Sequence, residues 1–191
     1  MVLAATPAGA CVTSADMAEG VVATFDNGLE LVLRRASEDE VHVDEVLAPG
    51  EMPYRTVRRL GFWETEAYDL DPQGHPVRET GIEWLYEDVD ALPPIQQDLV
   101  WSGWSTAVVG GMVRRSDNLL VSVKFMVSVT VGDCIYDALV VQTLIDQATE
   151  MPLIRRELFL PGLGAALPWI RAGEDEARTE ITLMGLEPVG R

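Results

Sequence analysis

The sequence predicts an all-β fold, a single antiparallel domain built as a barrel or a curved sheet or sandwich, and three observations predict it. Val121, Val123, Phe125, Val127, Val129 and Val131 alternate with Ser122, Lys124, Met126, Ser128 and Thr130. That is the period of a strand with one face against a core. Turn-forming clusters rich in Gly, Pro, Asn and Asp punctuate the chain at the spacing of all-β proteins, which implies about nine to eleven strands. No stretch sustains a helical period.

The elements follow in order. SADMAE (14–19) reads as one helical turn capped by Ser14, the only helix expected. Val21, Ala23 and Phe25 then face Leu29, Leu31 and Leu33 across Asn27-Gly28, a dipeptide that favours the two-residue type I′ hairpin turn. EVHVDEVL is a strand with Val41 and Val43 inward. PYRTVRRLGFWETEAYDLD forms one or two strands, broken at Gly61. DPQGHP (71–76) is a turn, and GIEWLYED is a short strand. ALPPIQQ (91–97) cannot be a central strand, because its prolines remove ladder donors. Trp101 and Trp104 flank Gly103 in the next strand. Residues 119–131 and 134–145 form a long hairpin turning at Gly132-Asp133, with the odd-numbered set against the core. A fully buried Phe125 in that set makes Phe125→Ala cost about 3–5 kcal/mol. LIRRELFL, a turn at 161–164, AALPWIR, a charged turn at AGEDEA and RTEITLMGL complete the chain.

At 191 residues one domain is expected, and we place it at 11–191. Residues 1–10 carry no charge and end in Ala8-Gly9-Ala10, the small-residue pattern of a signal-peptide cleavage site. A basic segment is missing before them, so the export reading requires further residues upstream; a plain N-terminal tail is the alternative. Cleavage there makes Cys11 the first mature residue, and lipid attachment at Cys11 is a further alternative. The only other cysteine is Cys134. Two cysteines this far apart match no metal or redox spacing. In an oxidising compartment they form one disulfide.

The net charge of −17, from 31 acidic and 14 basic residues, argues against nucleic acid, whose phosphates need Lys and Arg. It argues equally against docking on anionic lipid. No apolar stretch approaches the length of a transmembrane helix.

In the C-terminal half, LPPIQQDLVWSGW, VGDCIYDALVVQT and RRELFLPGLGAAL together resemble a pattern of small exported β-proteins of proteobacteria. There a Trp-bearing strand precedes a Cys-Tyr-Ala strand and a hairpin with a Pro-x-Leu-Gly turn. The resemblance implies a periplasmic β-protein and no catalytic residue.

Chemistry-bearing motifs are few. Glu40, His42 and Asp44 alternate along one strand face, which makes them candidate ligands for a divalent metal; opposite Val41 and Val43 they also read as a wet face. His75 lies in a turn. No G-x-S-x-G, G-x-G-x-x-G or Walker motif is present. The acidic runs at 37–45, 86–90 and 173–177 lack the calcium-loop spacing. Paired carboxylates for hydrolysis are a matter of three-dimensional separation. Trp63, Trp84, Trp101, Trp104 and Trp169 are candidate lining residues for an apolar cavity, or core. The expectation is a non-enzymatic exported protein, without cofactor, that binds an apolar small molecule or a protein partner. The alternatives are a structural subunit of an envelope complex and, last, a carboxylate hydrolase.

Overall fold

The computed structural model describes residues 11–46, 52–146, 152–172 and 178–190. They form one antiparallel sheet of thirteen strands. The strands are β1 (Val21–Phe25), β2 (Glu30–Arg35), β3 (Glu40–Val46), β4 (Tyr54–Arg59), β5 (Trp63–Leu70), β6 (Pro76–Tyr86) and β7 (Val100–Val109). They continue with β8 (Met112–Val131), β9 (Cys134–Asp146), β10 (Leu153–Leu160), β11 (Ala165–Ala172), β12 (Arg178–Glu180) and β13 (Leu183–Pro188). Each strand up to β12 pairs with its predecessor, and β13 returns to pair with β1. The count exceeds nine to eleven because Gly61 does separate two strands and the last segment divides into two short ones.

That last segment spans the sheet. β12 pairs with β11 and β13 pairs with β1. Between them the Ile181 N–H donates to the Trp169 carbonyl at 3.2 Å, and the Asp26 N–H donates to the Thr182 carbonyl at 3.0 Å. The sheet therefore curls until one short stretch of chain touches both ends. The hydrogen-bonded ladder itself stops short of closing.

Curling explains where the cores sit. Val140, Leu158 and Leu167 face Val21, Leu33 and Val41 in a main core. Leu139, Val141, Phe159 and Ala166 point the other way, against Phe62 and Trp63. β9, β10 and β11 thus form a wall between two cores, and runs such as Ala138–Val141 are buried on both faces.

The long hairpin forms as expected, with Val131 opposite Cys134 across Gly132-Asp133. Gly132 takes φ 58° at the first central position of this turn, the pattern of a type II′ turn. The expected facing does not hold along its whole length. Between Val123 and Phe125 the register shifts, so Val123 lies opposite Val141 and Phe125 opposite Val140. Lys124 is the extra residue of a β-bulge. Val121 and Val123 therefore pack toward the second core, while Val127, Val129 and Val131 pack on the main one. Phe125 lies opposite Val140 on the main-core face but is left 53% exposed at the switch, which overturns its reading as a buried core residue.

Two smaller expectations are also corrected. Only Gly28, at φ 84°, has positive φ in the first hairpin turn. Gly28 N–H donates to the Phe25 carbonyl and Phe25 N–H to that of Leu29. This is a three-residue loop with a glycine bulge, not a type I′ turn. The short helix is 3₁₀, Asp16–Ala18, and begins after Ala15. In place of a Ser14 cap, the Asp16 carboxylate accepts from the Thr13 N–H and hydroxyl.

Cys11 and Cys134 form the expected disulfide, with Cα atoms 5.5 Å apart. Its formation leaves no thiol at Cys11 for a lipid thioether, which removes that alternative. The following residues are held too: Val12 is buried with its N–H on the Tyr136 hydroxyl, and Met17 is fully buried in the main core. The signal-like residues 1–10 lie outside the described residues. Among the described residues no helix is long and apolar enough to cross a membrane.

Candidate ligand groove

Two bulges shape an open, mainly apolar site. One is at Lys124 on β8. The other is on β11, where Arg156 pairs with Ile170 and Glu157 with Pro168, leaving Trp169 as the extra residue. Pro168 brings no N–H to the ladder, so the sequence itself favours an irregular strand there. Bulges bend a strand and re-aim its side chains, and they are enriched beside binding sites. Here they flank β9 and β10 and leave a groove of about 390 Å³ lined by Lys124, Phe125, Val140, Gln142, Arg156 and Trp169. That volume lies within the range of about 300–1,000 Å³ usual for small-molecule sites. Its floor is continuous with the main core through Val140, which is 1% exposed, and Trp169 packs on that core.

The electrostatics of the groove run against those of the chain. Lys124 is the sole lysine among 45 charged residues other than histidine, 14 basic plus 31 acidic. It shares the groove with Arg156, and no carboxylate is among the lining residues. The Arg156 Nε donates to the Gln142 Oε1 at 3.2 Å. Within the described residues neither cation has an ion-pair partner; Arg34, Arg35, Arg78 and Arg114 also lack one, whereas Arg55, Arg58, Arg59, Arg115 and Arg155 have one.

The five tryptophans do not converge on one cavity. Trp169 lines the groove. Trp63, 2% exposed, stacks edge-on with Phe62, Tyr86 and Trp101, at ring-centre distances of 5.2, 6.1 and 4.8 Å. Its indole N–H donates to the Pro93 carbonyl at 2.8 Å, so the proline-rich loop caps this cluster. Trp101 lies back along its own strand over Gly103, where a Cβ would sit 2.6 Å from its ring. Trp84 lines a separate shallow depression with Glu66 and Glu83. Trp104 is 53% exposed on the opposite face.

The candidate metal ligands are engaged otherwise. Arg55 holds Asp44 through two hydrogen bonds, at 2.6 and 2.8 Å, and His42 Nε2 lies 2.8 Å from Glu40. Among the described residues no three His, Cys, Asp or Glu groups are placed to hold a metal. The acidic run at 173–177 lies outside the described residues.

Two carboxylates do meet in the interior, and the sequence reading did not single them out. Arg58, Glu64, Arg155 and Glu157 form a charge-balanced cluster joining β4, β5 and β10. Arg155 contacts Glu64 at 2.7 Å and Glu157 at 3.0 Å. Arg58 lies 3.3 Å from each carboxylate and donates to the Ala166 carbonyl at 2.9 Å. The Ala166 N–H donates to the Gly61 carbonyl at 2.9 Å, so both polar groups of Ala166 on the β11 edge are satisfied from the β4–β5 hairpin. Burial pushes the Glu64 carboxyl up, but the Arg155 and Arg58 charges together outweigh it and hold it below the ordinary carboxylate value. A general acid for hydrolysis needs the reverse. The adjoining cavity, about 20 Å³ beside Thr143 and Tyr86, has room for a single water molecule. The cluster closes a sheet edge. In the sequence Arg58 adjoins Arg59 and Glu157 adjoins Arg156, so the cluster left no local signal.

Comparison with known proteins gave no matching family model, no similar curated protein and no similar solved structure.

Proposed function

We propose that this is an exported, non-catalytic binding protein that takes an apolar ligand in the groove over β8–β11. One observation carries the reading: beside the two bulges a half-exposed Phe125 and a half-buried Trp169 line a groove whose floor, Val140, belongs to the main core. A core residue as costly to expose as phenylalanine gains from burial only when something covers it. The Cys11–Cys134 bridge supports export, because such bridges persist in oxidising compartments. The resemblance of the C-terminal half to periplasmic β-proteins supports the same location. Titration with Nile red, a neutral apolar fluorophore, tests the reading. Saturable binding that Phe125→Ala weakens supports it, and the absence of saturable binding overturns it.

A second reading, a subunit docked in a larger envelope assembly, draws on a different surface. Val100 at 70%, Trp104 at 53% and Leu120 at 40% exposure lie near one another on one face of β7 and β8, given the pairing of Ser102 with Leu120. Exposed apolar patches of this kind mark interaction surfaces. Co-purification that Trp104→Ser abolishes, with dye binding unchanged, favours this reading over the first.

A further inference from the structure

We propose that the groove recognises an amphiphile with a carboxylate head, the carboxylate held by Lys124 and Arg156 and the chain laid over Phe125, Val140 and Trp169. The inference rests on the groove being the binding site, and it names the ligand class.

The argument is one of charge complementarity. Lys124 and Arg156 are basic residues in a chain of net charge −17. They lie on the same groove, on strands separated only by β9, with no carboxylate on its lining. Elsewhere in the chain some cations are neutralised by a neighbouring carboxylate, as Arg55 is by Asp44 and Arg115 by Asp117. Neither groove cation is so paired within the described residues. Lys124, the bulged residue, lines the groove, and Gln142 accepts a hydrogen bond from the Nε of Arg156. The remaining Arg156 nitrogens and the Lys124 ammonium are donors suited to an anionic oxygen pair.

The apolar part is argued from the same wall. Val140 is buried beneath the groove, and the rings of Phe125 and Trp169 stand at its sides. A small anion such as acetate would leave these surfaces uncovered. A long-chain alcohol would cover them and leave both cations unanswered. A single-chain carboxylate satisfies both halves.

Because Lys124 is the only lysine, amine acetylation followed by peptide mass spectrometry reports on this one side chain. Dodecanoate below its micellar concentration is expected to protect Lys124 saturably, while acetate at the same concentration does not. Its affinity should exceed that of dodecanol roughly tenfold or more, the size of a charge-assisted hydrogen bond. Arg156→Gln should abolish that preference while the urea midpoint of the variant stays unchanged, which separates loss of the head-group contact from loss of the fold. Lys124→Gln, read by displacement of Nile red, should do the same. If Nile red binds over Phe125 but dodecanoate is no tighter than dodecanol, the head-group inference falls and the groove reading stands. If acetate protects as well as dodecanoate, the site is a simple anion site and the inference falls. If neither Nile red nor dodecanoate binds, both are overturned. Binding to phosphatidylglycerol vesicles without binding to free dodecanoate also overturns the inference, in favour of a membrane surface.

Discussion

Truncating Phe125 removes a ring that is 53% exposed and leaves no enclosed cavity behind. The full cost of a buried phenylalanine, about 3–5 kcal/mol, therefore does not apply. Phe125→Ala should change unfolding stability by less than about 1 kcal/mol, read as the urea midpoint, while dye binding weakens. Glu157 behaves in the opposite way. Its side chain is 3% exposed and neutralises Arg58 and Arg155 together. Glu157→Gln leaves two guanidinium groups sharing Glu64 in a confined space. Breaking a buried ion pair from one side costs roughly 3–5 kcal/mol, and that loss should appear in the same assay. A loss below 1 kcal/mol for Glu157→Gln would show that water reaches the cluster and screens it. The pair of substitutions thus ranks an exposed aromatic below a buried carboxylate, contrary to what hydropathy alone suggests.

Among the elements, the β4–β5 turn is held by backbone conformation. Leu60 and Gly61 take φ 50° and 68°, and Phe62 N–H donates to the Arg59 carbonyl at 3.1 Å. A Cβ on Gly61 would run into the carbonyl of Gly164. Gly61→Ala therefore adds a left-handed strain to a steric clash, and should cost at least about 2 kcal/mol; thermal unfolding measures it. A cost near zero would mean that the 161–164 turn moves aside freely. This element also shows what was legible in the sequence. The break at Gly61, the hairpin at Gly132-Asp133 and most strand positions could be read because turn residues and period-two patterns are local properties. The contact of Gly61 with Gly164 spans the fold and leaves no local trace. The bulge at Lys124 was hidden for a related reason. Strict alternation continues through it in the sequence, and only the partner strand, with one residue opposite two, reveals that the face has switched. The groove that depends on this switch was therefore not readable, although Trp169 was named for an apolar site.

For the whole molecule, pH and chain connectivity set the limits of stability. Glu64 has a native value below its ordinary 4.5. A depressed carboxylate contributes stability that is present above its unfolded value and is lost as the pH falls through the native one. The urea midpoint should therefore fall below about pH 4.5, and Glu64→Gln should flatten that part of the profile. Tyr86 works at the other end. Burial, with Glu64 beside it, pushes its hydroxyl well above the ordinary 10.0. Its contribution is present below pH 10 and is lost as the pH rises through the native value, so an alkaline decline that Tyr86→Phe removes is expected. The disulfide acts at every pH. Cys11 and Cys134 are 123 residues apart in the chain, so the bridge encloses β1 through β8. In the chain-entropy account, opening a loop of that length costs about 5 kcal/mol, through the freedom regained by the unfolded chain. The native side should change little, because Val12 and Met17 are held by the Tyr136 hydroxyl and the main core independently of the bridge. Reduction should therefore lower the urea midpoint and raise the slope of the transition, since a longer open chain exposes more surface. The near-ultraviolet spectrum of the native state should stay the same. A reduced protein that loses its native aromatic signal before any denaturant is added would show that the bridge holds the N-terminal segment in place, against the contacts of Val12 and Met17 sufficing alone.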